Sequence, residues 1–206
     1  QPSVGLLNSS FKVAPVQLSS SFVNHSLAIS VVRTMNNEVF ELFFSMLSLG
    51  TLGLGLVVIF ARLTKANNFL LEIKKIALPL AALITTTSML GSLYFSEIVN
   101  YKPCRLCWYQ RAAMYPLAIF LIVAVFKKFK FTKIVVAVLA LVGGSVSTYH
   151  WFLERFPNLD AGVCDANLPC SVVWFESFGF VTLSFMAFTA FFTTIALVTI
   201  PEMEKK

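Results

Sequence analysis

Five uncharged, apolar stretches constrain the fold of this 206-residue chain more than any other feature. Four of the stretches have the roughly 20 residues that a membrane-spanning helix needs. In addition, 57% of the chain is hydrophobic, which is more than one soluble domain can bury. The pattern therefore predicts an all-α, polytopic membrane protein. The stretches are 42–61, 76–96, 112–126, 134–153 and 177–200.

The third stretch, 112–126, is too short to span a bilayer by itself. Its 15 residues extend about 22 Å as a helix, whereas the hydrocarbon core is about 30 Å thick. We therefore expect the helix to begin near Leu106. This start places Cys104 and Cys107 at the helix N-terminus, at the membrane surface, and Arg111 about one turn inside the membrane.

The positions of Lys and Arg predict the orientation of the helices. Ten of the sixteen basic residues fall between the first and second stretches, between the third and fourth stretches, and at the end of the chain. These places share one side of a five-helix serpentine, and the positive-inside rule makes that side cytoplasmic. This bias explains most of the net charge of +6, so binding to nucleic acid is not indicated. The basic residues in question are Arg62, Lys65, Lys74, Lys75, Lys127, Lys128, Lys130, Lys133, Lys205 and Lys206.

The two outward segments between the apolar stretches, 97–111 and 154–176, contain all four cysteines. Cys104 lies in the predicted outward loop 97–105 and Cys107 at the helix start that follows it, whereas Cys164 and Cys170 lie in the second loop, 154–176. Thiols on the oxidising side of a membrane form disulfides readily, so two bonded pairs are expected. The N-terminal segment 1–38 has no apolar run long enough to span, and we expect an exoplasmic arm without fixed order. The alternatives are the remnant of a longer precursor, or extra sequence ahead of a natural start at Met35. The final residues, 201–206, are predicted to form a cytoplasmic tail.

The Cys-x-x-Cys sequence in PCRLCWYQR allows a zinc site, a static disulfide or a redox pair. Zinc would need all four cysteines, and Cys164-x5-Cys170 fits structural zinc spacing poorly, so no metal is predicted. A static bridge over so small a loop would constrain little chain entropy. A helix N-terminus with Arg105 nearby favours thiolates, and hence exchange chemistry. A redox pair is the favoured interpretation.

Two polar residues in apolar surroundings indicate where electrons could go. Arg111 follows Cys107 by four residues and shares its helix face. A charge at this depth is a candidate functional group, although its side chain could instead extend to the headgroups. His150 lies about one turn from the outer end of the fourth stretch, at comparable depth. Together the two residues could donate hydrogen bonds to the carbonyl oxygens of a small acceptor such as a lipid-soluble quinone.

The motifs PCRLCWYQRAAMYP, YHWFLE and WFESFGFVTLSFMAFTAF, with a cysteine pair between the last two, resemble the DsbB family of disulfide-generating membrane proteins. The similarity is closest to the BdbC type, which has a short second cysteine loop, and it covers about residues 76–200. It implies a four-helix membrane bundle, and the segment 39–62 is then an additional N-terminal transmembrane helix. The order of the motifs differs from the vitamin K epoxide reductase family, where the Cys-x-x-Cys follows the loop pair.

The resemblance implies a role for each cysteine. Cys164 would be attacked by a soluble DsbA-like oxidase with a thioredoxin fold, and Cys170 would exchange with Cys104. Cys107 would lie next to a ubiquinone or menaquinone, with Arg111 and His150 at the quinone site. The implied localisation is the bacterial inner membrane. Two alternatives stay open: an outward-directed reductase of the vitamin K epoxide reductase kind, and a non-enzymatic membrane subunit with structural disulfides.

Overall fold

The computed structural model describes the backbone of residues 20–127, 129, 131–160, 162–165 and 168–201, and the side chains of these residues from 37 onward. The described part is all-helical apart from turns and two isolated β-bridges. Five α-helices follow one another: α1 (Ser20–Leu63), α2 (Asn67–Leu93), α3 (Arg105–Phe126), α4 (Thr132–Arg155) and α5 (Leu183–Val198). A π-helical turn, Tyr94–Ile98, extends α2, and a short 3-10 helix, Pro157–Leu159, follows α4.

Four of the helical segments are long and apolar enough to cross a membrane. They are Asn37–Leu63, Asn67–Ile98, Arg105–Phe126 and Thr132–Arg155. The predicted all-α polytopic membrane fold is therefore confirmed.

The fifth stretch differs from its prediction as a full span over 177–200. Helix α5 has only 16 residues, and the preceding residues form a tight turn closed by a bridge between Ser177 and Val181. Phe178 and Gly179 have φ values of 56° and 75° in this turn. Thr182 caps the helix, because its hydroxyl accepts a hydrogen bond from the N–H of Phe185 at 3.4 Å. Hydrophobicity alone could not show that these apolar residues form a turn.

Helix α3 begins at Arg105, close to the predicted start near Leu106. Cys104 is its N-cap residue, and its Sγ accepts a hydrogen bond from the N–H of Cys107 at 3.3 Å. Pro103 precedes the cap residue. A proline disfavours helical backbone at the residue before it, so the helix does not extend further towards the N-terminus. The local sequence therefore places Cys104 at the N-cap of α3 and Cys107 in its first turn.

Helices α2 to α5 pack as a four-helix bundle, in which α2 contacts α3 and α5, and α4 also contacts both α3 and α5. Its core contains Leu117 and Leu121 of α3, Val136 of α4 and Phe191 of α5, each fully buried. Gly143 allows α4 and α5 to approach closely, since a Cβ atom at this position would lie 2.2 Å from Cζ of Phe191.

The chain divides into two units, Gln1–Glu38 and Val39–Lys206. Helix α1 begins at Ser20, earlier than the predicted span 39–62. Residues 1–19 of the predicted arm 1–38 lie outside the described residues. Residues 202–206 of the predicted tail 201–206 also lie outside them.

Candidate active site

The four cysteines come together at one end of the bundle. Antiparallel helices place the start of α3 and the connection after α4 at the same end, and each of these two places carries one cysteine pair. Cys104 and Cys170 are buried, with 6% and 2% of their surfaces exposed, and they pack in one apolar cluster with Leu106 and Leu153. Cys107 and Cys164 are partly buried against the same cluster.

The two pairs differ in bonding. Cys164 and Cys170 form a disulfide, whereas Cys104 and Cys107 are free thiols whose Sγ atoms lie 2.8 Å apart. The expectation of two bonded pairs is thus met by only the loop pair. The helix pair instead makes a sulfur–sulfur hydrogen bond, in which the S–H of one cysteine is the donor and the sulfur of the other is the acceptor.

The environment of Cys104 favours its thiolate. Its Sγ contacts Sγ of Cys107 and lies 3.6 Å from Nε2 of His150. The hydrogen bond from Cys107, together with the interactions with His150, lowers the pKa of Cys104 to about 4, although burial acts in the opposite direction. The site therefore favours negative charge on Cys104 over Cys107.

His150 lies between the helix cysteines and the loop disulfide. Its Nε2 is 3.1 Å from the backbone carbonyl oxygen of Cys170 and 3.9 Å from Oε1 of Glu154. Oε2 of Glu154 accepts hydrogen bonds from the hydroxyls of Thr182 at 2.6 Å and Ser184 at 2.8 Å. The carboxylate thus joins the imidazole to the start of α5.

Glu154 was missed by the sequence reasoning. Its acidic side chain lies near the end of an apolar helix and is only 4% exposed. The available signal was its position four residues after His150, which places both side chains on one face of α4. Its partners Thr182 and Ser184 were not predictable, because they lie 28 and 30 residues away along the chain.

The cysteine loop is held to the start of α3. Arg105 donates a hydrogen bond from Nη1 to the carbonyl oxygen of Val163 at 3.1 Å. Within the loop, Oδ1 of Asp160 accepts hydrogen bonds from the N–H groups of Gly162 and Val163. Gly162 has a φ of 76°, which favours glycine. These bonds fix the backbone immediately before Cys164.

A cavity of about 600 Å³ adjoins the helix cysteines. Its size falls within the range of about 300–1,000 Å³ typical of small-molecule sites. Residues of α1, α2, α3 and α5 line it, mostly with apolar side chains. Cys107 lines both this cavity and a small neighbouring one, and Cys104, His150 and Glu154 line only the small one.

Three polar side chains of α3 line the large cavity: Gln110, Arg111 and Tyr115. Arg111 donates from Nε to Oγ of Ser92 and from Nη2 to its carbonyl oxygen, both at 2.9 Å, and its guanidinium lies over the ring of Trp108. The arginine is thus anchored to α2 within the protein. Gln110 is 8% exposed, and neither its Nε2 nor the hydroxyl of Tyr115 has a hydrogen-bond partner among the described residues.

Each predicted site residue now has a place. Cys107 and Arg111 line the large cavity together, and Cys164 and Cys170 form the adjoining disulfide. His150 contacts Cys104, and it is not among the residues that line the large cavity. A direct contact between His150 and a cofactor therefore stays a prediction. Gln110 and Tyr115 were missed, because a polar group within an apolar helix reveals its lack of partners only once the helices are packed.

The ligand atoms of Cys104, Cys107 and His150 lie within 4.8 Å of one another, a grouping that could hold a metal ion. However, two thiolates bound to tetrahedral zinc at about 2.3 Å would lie about 3.8 Å apart. The observed sulfur separation of 2.8 Å is shorter than this. The geometry suits thiol–disulfide exchange better than zinc binding.

Comparison with known proteins identifies the same segment. Residues 74–200 match the family model described as disulfide bond formation protein DsbB. The chain is 44% identical over 110 residues to the probable disulfide formation protein C of Halalkalibacterium halodurans, covering 53% of this chain and 80% of that protein. It is 39% identical over 124 residues to the disulfide bond formation protein C of Bacillus subtilis, covering 59% and 89%.

A third relative, the probable disulfide formation protein C 2 of Bacillus anthracis, is 33% identical over 134 residues, covering 65% of this chain and 96% of its own. No solved structure matches the chain.

Proposed function

Since the chain belongs to the DsbB family of disulfide bond formation proteins, we propose that it is a membrane thiol:quinone oxidoreductase that reoxidises a DsbA-like oxidase. The family and the fold make it a multi-pass membrane oxidoreductase of disulfide formation. The finer proposal is that electrons pass from Cys164–Cys170 to Cys104–Cys107 and then to a membrane quinone. The observation that carries it is the meeting of both cysteine pairs beside a cavity lined by Cys107.

Electrons enter at the loop disulfide. A thiolate of the partner attacks Cys164, which is more accessible than the buried Cys170, and forms a mixed disulfide. The second thiol of the partner resolves this bond. The partner leaves with one disulfide, and Cys164 and Cys170 keep the two electrons and two protons as a dithiol.

The second exchange transfers the same electron pair to the helix cysteines. Packing of Cys170 in one cluster with Cys104 supports attack of the Cys170 thiolate on Cys104 when Cys104 and Cys107 are disulfide-bonded. Cys107 leaves, and Cys164 then resolves the mixed bond. His150 and the helix N-terminus stabilise negative charge on Cys104 in the resulting dithiol, which makes it a good leaving group. The free thiols of Cys104 and Cys107 beside the bonded loop pair are consistent with this exchange.

The large cavity supports quinone as the final acceptor. A quinone, when bound, accepts two electrons and two protons and becomes a quinol. Apolar walls suit its isoprenoid tail, while Arg111 and the unpaired donors of Gln110 and Tyr115 suit its carbonyl oxygens. Cys107 presents its sulfur to the same space, and re-forming the Cys104–Cys107 disulfide releases the electron pair. His150 beside Cys104 supports the accompanying release of protons.

We further propose that the cysteine loops face outward from a bacterial inner membrane. The support is the distribution of Lys and Arg, which concentrates positive charge at the opposite ends of the helices. Introducing single cysteines at Lys65 and Asn158 and labelling intact cells with an impermeant maleimide tests the orientation. Labelling at 65 and protection at 158 would contradict it.

The function is tested by mixing the purified protein with a reduced thioredoxin-fold oxidase and either ubiquinone or menaquinone analogues. Two partner thiols should be lost for each quinone reduced, as measured by thiol titration and by the fall in quinone absorbance. Cys104→Ser and Cys107→Ser should each abolish both signals. Net reduction of the oxidised partner by added quinol under the same conditions would favour the outward reductase. Unimpaired disulfide formation with Cys104→Ser would favour a non-enzymatic subunit.

A further inference from the structure

Helix α1 lies outside the family-matched segment, which begins at residue 74. The helix nevertheless contributes an extensive part of the lining of the large cavity, including Phe44, Ser48 and Thr51. The family resemblance assigns this helix no role. Its contacts with the bundle decide whether it merely lies nearby or forms a fixed wall.

The outer part of α1 is fixed to the cysteine-bearing end of the bundle. Tyr101, in the loop before Cys104, donates a hydrogen bond to Oε1 of Glu41. Burial and this hydrogen bond raise the pKa of Tyr101, so its phenol keeps the proton that it donates. The ring of Tyr101 also stacks on Trp174, at 5.1 Å between centroids, in the loop that follows Cys170. Glu41 is thereby connected to both cysteine loops.

Phe44 packs into a space that only glycine leaves open. A Cβ atom on Gly91 of α2 would lie 2.8 Å from Cε1 of Phe44. The same ring meets Phe95 edge to face, with 5.5 Å between centroids. Phe44 and Gly91 both line the cavity, so this contact joins the α1 wall of the cavity to the α2 wall.

The inner part of α1 is fixed to α5. Thr193 donates a hydrogen bond to the carbonyl oxygen of Thr51 at 2.8 Å, and a Cβ atom on Gly55 would lie 2.7 Å from Oγ1 of Thr193. Arg62 donates to the carbonyl oxygen of Ala196 and, at 3.2 Å, to the hydroxyl of Thr199. Helix α1 therefore contacts α2 on one side of the cavity and α5 on the other.

From these contacts we propose that α1 is part of the quinone-binding site and sets its affinity for the ring and the first part of the tail. The inference rests on the proposed quinone function. The contacts of α1 with α2 and α5 hold α1 against the bundle. Helix α1 therefore forms a fixed wall of the cavity beside Cys107. Phe43 and Met46 line it while 58% and 54% exposed, so the cavity opens between helices towards the lipid and can admit a long tail.

Two glycines of α1 provide a matched test. Gly50 lines the cavity and Gly53 does not, and no described atom outside the helix backbone lies within 4 Å of a Cβ atom built on either. A side chain at position 50 therefore enters the cavity without displacing a neighbour, whereas one at position 53 enters open space. The series Gly50→Ala, Gly50→Leu and Gly50→Phe fills the cavity in steps, and Gly53→Phe is the control.

The readouts are the quinone retained per protein after purification and the dissociation constants of decyl-ubiquinone and menadione. Binding is followed by quenching of tryptophan fluorescence, since Trp174 lines the cavity. We expect retention to fall along the Gly50 series and Gly50→Phe to bind about tenfold or more weakly, as steric misfits in apolar pockets do. Gly53→Phe should bind like the wild-type chain. Equal binding by Gly50→Phe and Gly53→Phe would overturn the inference.

A measurement on the wild-type chain does not depend on how the variants fold. A photoreactive azido-quinone should label residues 43–54 of α1 as well as α3. Labelling of α2, α3 and α5 without α1 would overturn the role of α1 but leave the quinone function standing. Absence of binding and labelling by either quinone class would instead overturn the quinone function itself, and the inference with it.

Discussion

Replacing His150 should move the titration of Cys104 by an amount that the structure allows to be worked out. The hydrogen bond from Cys107 and the interactions with His150 hold the pKa of Cys104 well below its ordinary value. A favourable charged or hydrogen-bonding partner within about 4–6 Å typically lowers a pKa by about 1–3 units. In His150→Gln the pH midpoint of Cys104 ionisation should therefore lie about 1–3 pH units higher than in the wild-type chain.

The sign follows from the direction of the pKa change. The thiolate of Cys104 is present above its pKa and is lost as pH falls through it, so a raised pKa removes thiolate only on the acidic side. The assay is the pH midpoint of thiolate ultraviolet absorbance, measured in a Cys164→Ser/Cys170→Ser background in which only the helix pair titrates. A midpoint does not depend on how accessible the buried sulfur is to reagents.

Two further variants make the test specific. Cys107→Ala should raise the midpoint more than His150→Gln, since the hydrogen bond from Cys107 is the largest cause of the lowered pKa. Thr148→Val, two residues before His150 with its hydroxyl bonded to the carbonyl oxygen of Gly144 in the same helix, should leave it unchanged. If neither Cys107→Ala nor His150→Gln moved the midpoint, the explanation of how the site stabilises the thiolate would be refuted.

Three other predictions follow from named contacts. Arg111→Ala should weaken quinone affinity more than it slows exchange at the loop disulfide; unchanged quinone kinetics would reject its assigned role. A reduced partner oxidase that lacks its second cysteine should be trapped as a mixed disulfide on Cys164, with Cys170 released as the thiolate, whereas a stable adduct on Cys170 would reverse the proposed order of attack. Gly143→Ala should lower the thermal unfolding temperature, because overpacking against Phe191 costs about 1–3 kcal/mol. Gly144→Ala, whose Cβ would lie 3.6 Å from Phe191, is the matched control and should change it little.

Local patterns in the sequence determined the membrane character, the start of α3 and the positions of the cysteines. Apolar length specifies a spanning helix because the bilayer offers no partner for unpaired backbone groups. The shortfall of the stretch 112–126 specified an earlier helix start, which the structure places at Arg105. The same reasoning failed at 177–182, since a turn and a helix can have equally apolar residues.

The tertiary structure alone decided which groups meet. His150 reaches Cys104 across 46 residues of sequence, and Glu154 finds its hydroxyl partners on α5. The unpaired donors of Gln110 and Tyr115, and the cavity wall provided by α1, exist only because separate helices pack against one another. A hydrophobic pattern indicates that a helix will be buried in lipid or protein but not which helix it will contact. Contact depends on the shapes of side chains distant in sequence, as at Phe44 against Gly91.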